Sequence, residues 1–255
     1  NALRKNGDIS NIRYKVKNGV TRLNEYRYDE YSQLTKSIYY ELSGSTYTSN
    51  GRYNEDFTYH TNGRINTVLR NGNALNNQNN YQIDNLSYIY ASDNLRLTRV
   101  QDANTSNNNT QGHNQRSITG TAFTYDNCGN VTSDLHRAIS SISYNHLQLP
   151  TVVLRSDGSK LEMTYDADGN LLCRKTFAAG GTITETRDYI GGIELVNNVV
   201  DQINHSQGRL QKHGTGYRHE YVIKDHLGNS RVVYYNNGGT ATIIDENHYY
   251  AYGME

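Results

Sequence analysis

The residues best placed for chemistry form short acidic or histidine-bearing runs. Asp166-Ala167-Asp168-Gly169-Asn170 opens like a calcium-binding loop, because alternating carboxylates and a glycine are what a hard cation with oxygen ligands requires. An EF-hand then needs Gly at its sixth position and Glu at its twelfth, and those places hold Leu171 and Phe177. His219-Glu220 starts like the helix of a zinc protease, but Ile223 stands where the second histidine belongs, and the stretch reads as a strand. His136, His146, His213, His226 and His248 lack ligand spacing. No nucleophile elbow, phosphate-binding loop or dinucleotide fingerprint occurs. Cys128 and Cys173 occupy non-equivalent places and have no nearby histidine, which predicts two free, unreactive thiols. The reading is a chain with no catalytic residues, no metal and no cofactor.

The acidic run gains a different meaning beside its copies. Tyr125-Asp126-Asn127-Cys128-Gly129-Asn130-Val131, Tyr165-Asp166-Ala167-Asp168-Gly169-Asn170-Leu171 and Asp225-His226-Leu227-Gly228-Asn229 are one phrase with variations. Recurrence of this kind marks one supersecondary unit used many times. Asp126, Asp166 and Asp225 stand first in four-residue turns, where a carboxylate can bond the backbone two residues on. Gly129, Gly169 and Gly228 stand fourth, where a positive φ lets the chain re-enter the ladder. The flanks, such as Leu161 to Asp166 and His219 to Asp225, alternate β-branched and aromatic residues with polar ones, which predicts antiparallel hairpins.

Worn copies extend toward the N-terminus. Tyr28 to Leu34 keeps Tyr-Asp but has Ser32 in place of glycine, and Tyr59 to Ile65 keeps Gly63 but has His60 in place of aspartate. Tyr90 to Leu97 and Tyr144 to Pro150 are more degraded. The leading tyrosines recur at irregular spacings of roughly 20 to 35 residues, as repeat architectures do. Asn71 to Asn80 and Gln101 to Arg116 are Asn-rich loops between hairpins, and Asp201 to Arg218 is a third polar stretch, partly ordered.

Composition fits a repeat sheet. The chain has 255 residues with 23 Tyr, 22 Gly, one Pro, no Trp and a formal net charge of zero. Aliphatic core-formers are thin for a compact domain of this length. Tyrosine answers part of that deficit, since its ring packs while its hydroxyl stays wet or bonded. Tyr59, Tyr90, Tyr125 and Tyr165 are expected to stack along the sheet. Zero net charge without a basic stripe argues against a nucleic-acid partner, and no apolar run approaches the roughly 18 residues of a membrane span. The chain opens in mid-pattern, so its natural start is expected to lie upstream.

These phrases, in order, resemble the Rhs/YD-repeat family in the form found in polymorphic toxins of Bacteroidetes-type bacteria. The likeness runs from about Tyr28 to the end and is carried by the Tyr-Asp-x-x-Gly hairpins followed by Tyr144 to Val153, Asp188 to Asn198, Ile203 to Leu210, Glu220 to Tyr235 and Glu246 to Met254. Two departures occur: Gln148 stands where an asparagine is usual, and Ala251 where a proline is usual. The resemblance implies an all-β fold in which antiparallel YD hairpins join into a curved or spiral sheet, part of a hollow shell. It implies one continuous segment over residues 1–255, with 246–255 opening an associated core region and the toxin lying downstream. The implied role is non-enzymatic: the wall of a secreted or surface bacterial protein that encloses or presents its own C-terminal effector. Implied partners are that effector and possible secretion machinery. An adhesion module binding cell-surface glycan, and a self-cleaving toxin whose catalytic residues lie beyond the chain, are the alternatives.

Overall fold

The computed structural model describes residues 7–15, 19–73, 82–92, 95–104, 112–113 and 118–254. Most of the two Asn-rich segments therefore lies outside the described residues. The described chain is all-β and antiparallel, apart from one short 3-10 turn at Leu135–Arg137.

The first unit carries β1 (Asn11–Lys15), β2 (Thr21–Tyr28), β3 (Leu34–Ser43), β4 (Thr46–Thr48), β5 (Glu55–Tyr59), β6 (Ile65–Asn71), β7 (Gln82–Tyr90) and β8 (Leu97–Asp102). They pair in the order β1-β2-β3-β5-β6-β7-β8, with β4 on the far part of β3. The second unit is a meander of β9 (Phe123–Tyr125), β10 (Val131–Asp134), β11 (Ile139–Tyr144), β12 (Pro150–Arg155), β13 (Lys160–Tyr165), β14 (Leu171–Phe177), β15 (Ile183–Ile190), β16 (Ile193–Val196), β17 (Val199–His205), β18 (Gly208–His213), β19 (Gly216–Lys224), β20 (Ser230–Asn237) and β21 (Thr240–Glu246). Among the described residues the end strands of neither sheet pair with each other, so both are open.

The single continuous array implied by the repeat pattern is thus divided: residues 1–122 with 250–254 form one compact unit, and 123–249 form the other. The ladder stops at β8 and resumes at the three-residue strand β9, with the second Asn-rich insertion between them. The third polar stretch, in contrast, is ordered into β17, β18 and the start of β19.

Apolar burial differs between the units. Leu34, Phe57, Val68, Ile83, Leu86 and Val100 are buried in the first, whereas Ala138 and Val233 are the buried hydrophobics of the second. Register explains the first core, because residues paired across antiparallel strands share a face. Phe57 faces Val68 and Val68 faces Leu86, making one apolar row across β5, β6 and β7.

The turns share one backbone design, a three-residue loop in which a type I turn leads into a left-handed residue and a bulge. In 126–130 the Asp126 N–H donates to the Asn130 carbonyl (3.0 Å) and the Gly129 N–H to the Asp126 carbonyl (3.2 Å). Gly63, Gly129, Gly169 and Gly228 have φ of 81°, 89°, 86° and 88°. Ser32 and Gln148 hold the same place with φ of 61° and 59°, at the strain non-glycine residues bear there. Gly129 has open space around an added Cβ, but a Cβ on Gly169 would lie 3.2 Å from Leu149 Cδ1. Gly129→Ala should therefore cost about 1–2 kcal/mol from backbone strain alone. Gly169→Val should cost more, and urea unfolding of both variants would measure the difference.

Candidate functional site

Each turn aspartate acts as a clasp. Asp126 Oδ1 accepts the N–H groups of Cys128 and Asn130, both at 2.9 Å, while Oδ2 accepts the Asn130 side-chain amide at 2.9 Å. Asp166 does the same with Asp168 (3.0 Å) and Asn170 (2.8 Å to backbone and to side chain), and Asp225 with Leu227 and Asn229. The carboxylates that imitate a calcium loop are thus occupied as turn acceptors. Asn130, Asn170 and Asn229 belong to the device, and their repetition after the glycine was a readable signal for it.

The leading tyrosines bind through their hydroxyls. Tyr59 donates to the Leu34 carbonyl (2.6 Å), Tyr90 to Ile65 (2.8 Å), Tyr144 to Val131 (2.7 Å), Tyr165 to Pro150 (2.9 Å) and Tyr249 to Ser230 (2.9 Å). Every acceptor is the first residue after the preceding clasp, so each hairpin is tied sideways to the one before it. The expected ring stacking along the wall takes another form: Tyr90 meets His60 edge-on at 5.5 Å, and parallel rings occur instead at Tyr221 and Tyr234, 5.4 Å apart. Tyr125 ends β9 in the equivalent place. Cys128 is exposed, Cys173 half-buried, and both are free. His219 and Glu220 lie on β19, where Arg209 and Arg218 grip the Glu220 carboxylate at 2.9 and 2.6 Å.

The feature that sequence reading missed is a charged row beside the apolar one in the first unit. Glu55 is paired with Arg70 across β5 and β6, and Arg70 with Asp84 across β6 and β7, so all three share a face. Their exposures are 1%, 8% and 0%. Arg70 Nε donates to Glu55 Oε1 at 2.9 Å and Nη1 to Asp84 Oδ2 at 2.6 Å. The His113 N–H donates to Asp84 Oδ1 at 2.6 Å.

Residues 250–254 complete this row from the C-terminal end. They form another clasp-type turn with Tyr250 in place of aspartate: the Tyr250 N–H donates to the Met254 carbonyl (2.8 Å), and Gly253 has φ of 84°. The Ala251 N–H donates to Glu55 Oε2 at 2.8 Å, a bond that the proline usual in the resembled phrase could not make. Tyr250 lays its ring 5.1 Å from the Arg70 guanidinium and donates its hydroxyl to the Asn71 carbonyl at 2.6 Å. Arg70 Nη1 lies 3.2 Å from Met254 Sδ. Tyr252 meets Phe57 edge-on at 5.1 Å, and its hydroxyl lies 2.9 Å from that of Tyr59. The result is a socket: two acids, one base, a thioether and aromatic rings around one turn.

Burial pushes the Glu55 carboxyl above its ordinary range, against the opposing pull of Arg70 and the Ala251 N–H. Burial would lower Arg70, but Glu55 and Asp84 hold its guanidinium above the usual value. At the turns the sign reverses, since the Asn130 and Asn170 amides hold Asp126 and Asp166 below theirs. Folded Glu55 thus keeps its proton to higher pH than the unfolded chain, and acidification through the window above about 4.3 stabilises the first unit. The turn aspartates contribute stability present above about 3.9 and lost as pH falls through their folded values. Hydrogen exchange from pH 7 down to 3 should show protection in β5 and β6 rising first, and protection around 126–130 and 166–170 falling later.

No protein-family model matches the chain, and no curated protein matches it. Solved structures do. A crystal structure of TcdB2-TccC3 without its hypervariable C-terminal region is similar at 16% identity and a TM-score of 0.51, over 91% of this chain and 13% of that one. TcdB2-TccC3 itself matches at 13% identity and a TM-score of 0.36, over 95% and 18% of the two chains. A Photorhabdus luminescens Tc holotoxin pore matches at 12% and 0.37, over 96% and 18%. The chain therefore spans a small part of those proteins' length, and it has the fold of a stretch of the first of them.

Proposed function

We propose that this chain is a stretch of shell wall in a secreted or surface bacterial protein of the Rhs/YD-repeat kind, and that it encloses or presents an effector following it in the sequence. The observation that carries this reading is the socketed turn at 250–254, which pins the C-terminal end of the chain to the face of its own first sheet. A following segment is then held at a fixed point on the wall. The clasps and tyrosine ties supply a wall that extends by adding hairpins, and the likeness to part of TcdB2-TccC3 supports the same use of the fold. The wall itself is non-enzymatic in this reading, and its partner is the protein's own downstream effector or core region.

The test uses the natural full-length protein under limited chymotrypsin digestion. The segment after Glu255 should survive in the wild type and be degraded at least several-fold faster in Tyr250→Ala/Tyr252→Ala, with the hairpin array still folded by circular dichroism. Equal digestion rates in the two proteins, or a downstream segment cut as fast as an unfolded chain, would sink the proposal.

A further inference from the structure

A groove of about 700 Å³ opens at the turn end of the first unit, lined by Asp29, Tyr31, Gln33, Tyr59 and His60 among others. That size suits a small-molecule or side-chain guest. The repeats themselves supply a control for what is unusual here. Turns 126–130, 166–170 and 225–229 end in asparagine, whose amide reaches back to the aspartate. Turn 29–33 ends in Gln33, one methylene longer. Its Nε2 still donates to Asp29 Oδ2, at 3.0 Å, and this bond fixes the amide with its oxygen turned the other way. Gln33 Oε1 is buried and has no hydrogen-bond partner. Such an acceptor calls for a donor from outside the chain.

The rest of the lining also accepts more than it donates. The Thr35 hydroxyl gives its hydrogen to the Arg27 carbonyl at 3.1 Å, and Tyr59 gives its own to Leu34 at 2.6 Å. With Tyr59 so committed, the Tyr252 hydroxyl is the donor in their mutual bond. Phe57 and Tyr59 present aromatic rings, Tyr31 is 75% exposed beside them, and neither lysine nor arginine is among the described lining residues. A sugar would bring as many acceptors as donors. A guanidinium brings five N–H donors, no acceptor, a positive charge and a flat face that stacks on aromatic rings.

We propose that this groove is a binding site for a guanidinium group, with Gln33 Oε1 accepting its N–H and Tyr31 covering its face. The proposal is independent of the wall reading. It is tested by titrating the isotope-labelled protein with agmatine, with the capped tripeptide Gly-Arg-Gly, and with the same tripeptide carrying neutral citrulline, following amide shifts in 29–33 and 60–64. Saturable millimolar binding of an arginine ligand is expected, weaker by roughly tenfold or more for citrulline and for Tyr31→Ala. Gln33→Asn is the decisive variant, because it restores the clasp found in the other repeats while withdrawing the acceptor, and it too should lose binding. Tighter binding of the tripeptide than of agmatine assigns the site to an arginine on a chain, and the reverse to a free guanidinium compound. Absence of saturable shifts, equal binding of citrulline, or binding untouched by Gln33→Asn overturns the proposal.

Discussion

Replacing Arg70 by alanine is expected to destabilise the first unit by about 3–5 kcal/mol, because it strands two carboxylates that water cannot reach. Glu55 and Asp84 are 1% and 0% exposed, and Arg70 bonds both at 2.9 and 2.6 Å. The loss should propagate to the C-terminal turn, whose Tyr250 ring covers the guanidinium and whose Ala251 N–H depends on an oriented Glu55. Urea unfolding followed by exchange of β5, β6 and β7 amides would measure the cost. The charges, not the volume, are responsible on this account, so Arg70→Met/Glu55→Gln/Asp84→Asn should recover most of it. Acid should also relieve the single variant, since protonating either carboxyl removes a stranded charge. A cost under about 1 kcal/mol would mean that the row is solvated and that the socket is held by its rings alone.

Gly208→Ala should be the most damaging small substitution in the second unit. The strands approach so closely there that a Cβ would sit 2.0 Å from the Glu220 carbonyl oxygen and 3.0 Å from Tyr221 Cα, both backbone atoms. Neither can turn aside as a side chain would, so β18 and β19 must separate locally. Gly208 is paired with both His205 and Tyr221, and the damage therefore reaches two ladders. A loss of about 3 kcal/mol or more is expected, at the upper end of overpacking effects. Gly216, on β19 where the same hairpin turns, has open space around it, and Gly216→Ala should cost under about 1 kcal/mol. Thermal melts of the two variants give the comparison, and similar melting temperatures would refute the close-approach argument.

Local features were legible because their causes are local. Asp, Gly and the intervening polar residues set a turn within five positions, and Asp126, Asp166 and Asp225 satisfy it with their own neighbours' N–H groups. Strand alternation was equally plain, and the all-β antiparallel fold followed from both. The polar run 201–218 was less readable. Its charges find partners only across strands, as Arg209 and Arg218 do on Glu220 and as Arg187 does on Glu194 and Asp201 at 3.2 Å. Composition sees polarity there, while pairing makes it sheet.

The sequence by itself determined the hairpin unit, its repetition and its turn chemistry, since those depend on backbone preferences and contacts a few residues apart. Tertiary structure decided where the array divides and what the tyrosine hydroxyls bind. It also decided that Glu55, Arg70 and Asp84 meet the turn at 250–254. Those three lie 14 or 15 residues apart, and that turn lies 196 positions from Glu55 along the chain. Such distances are closed only by strand register and by the entropy of a folded sheet already spent, and no spacing in the chain encodes them.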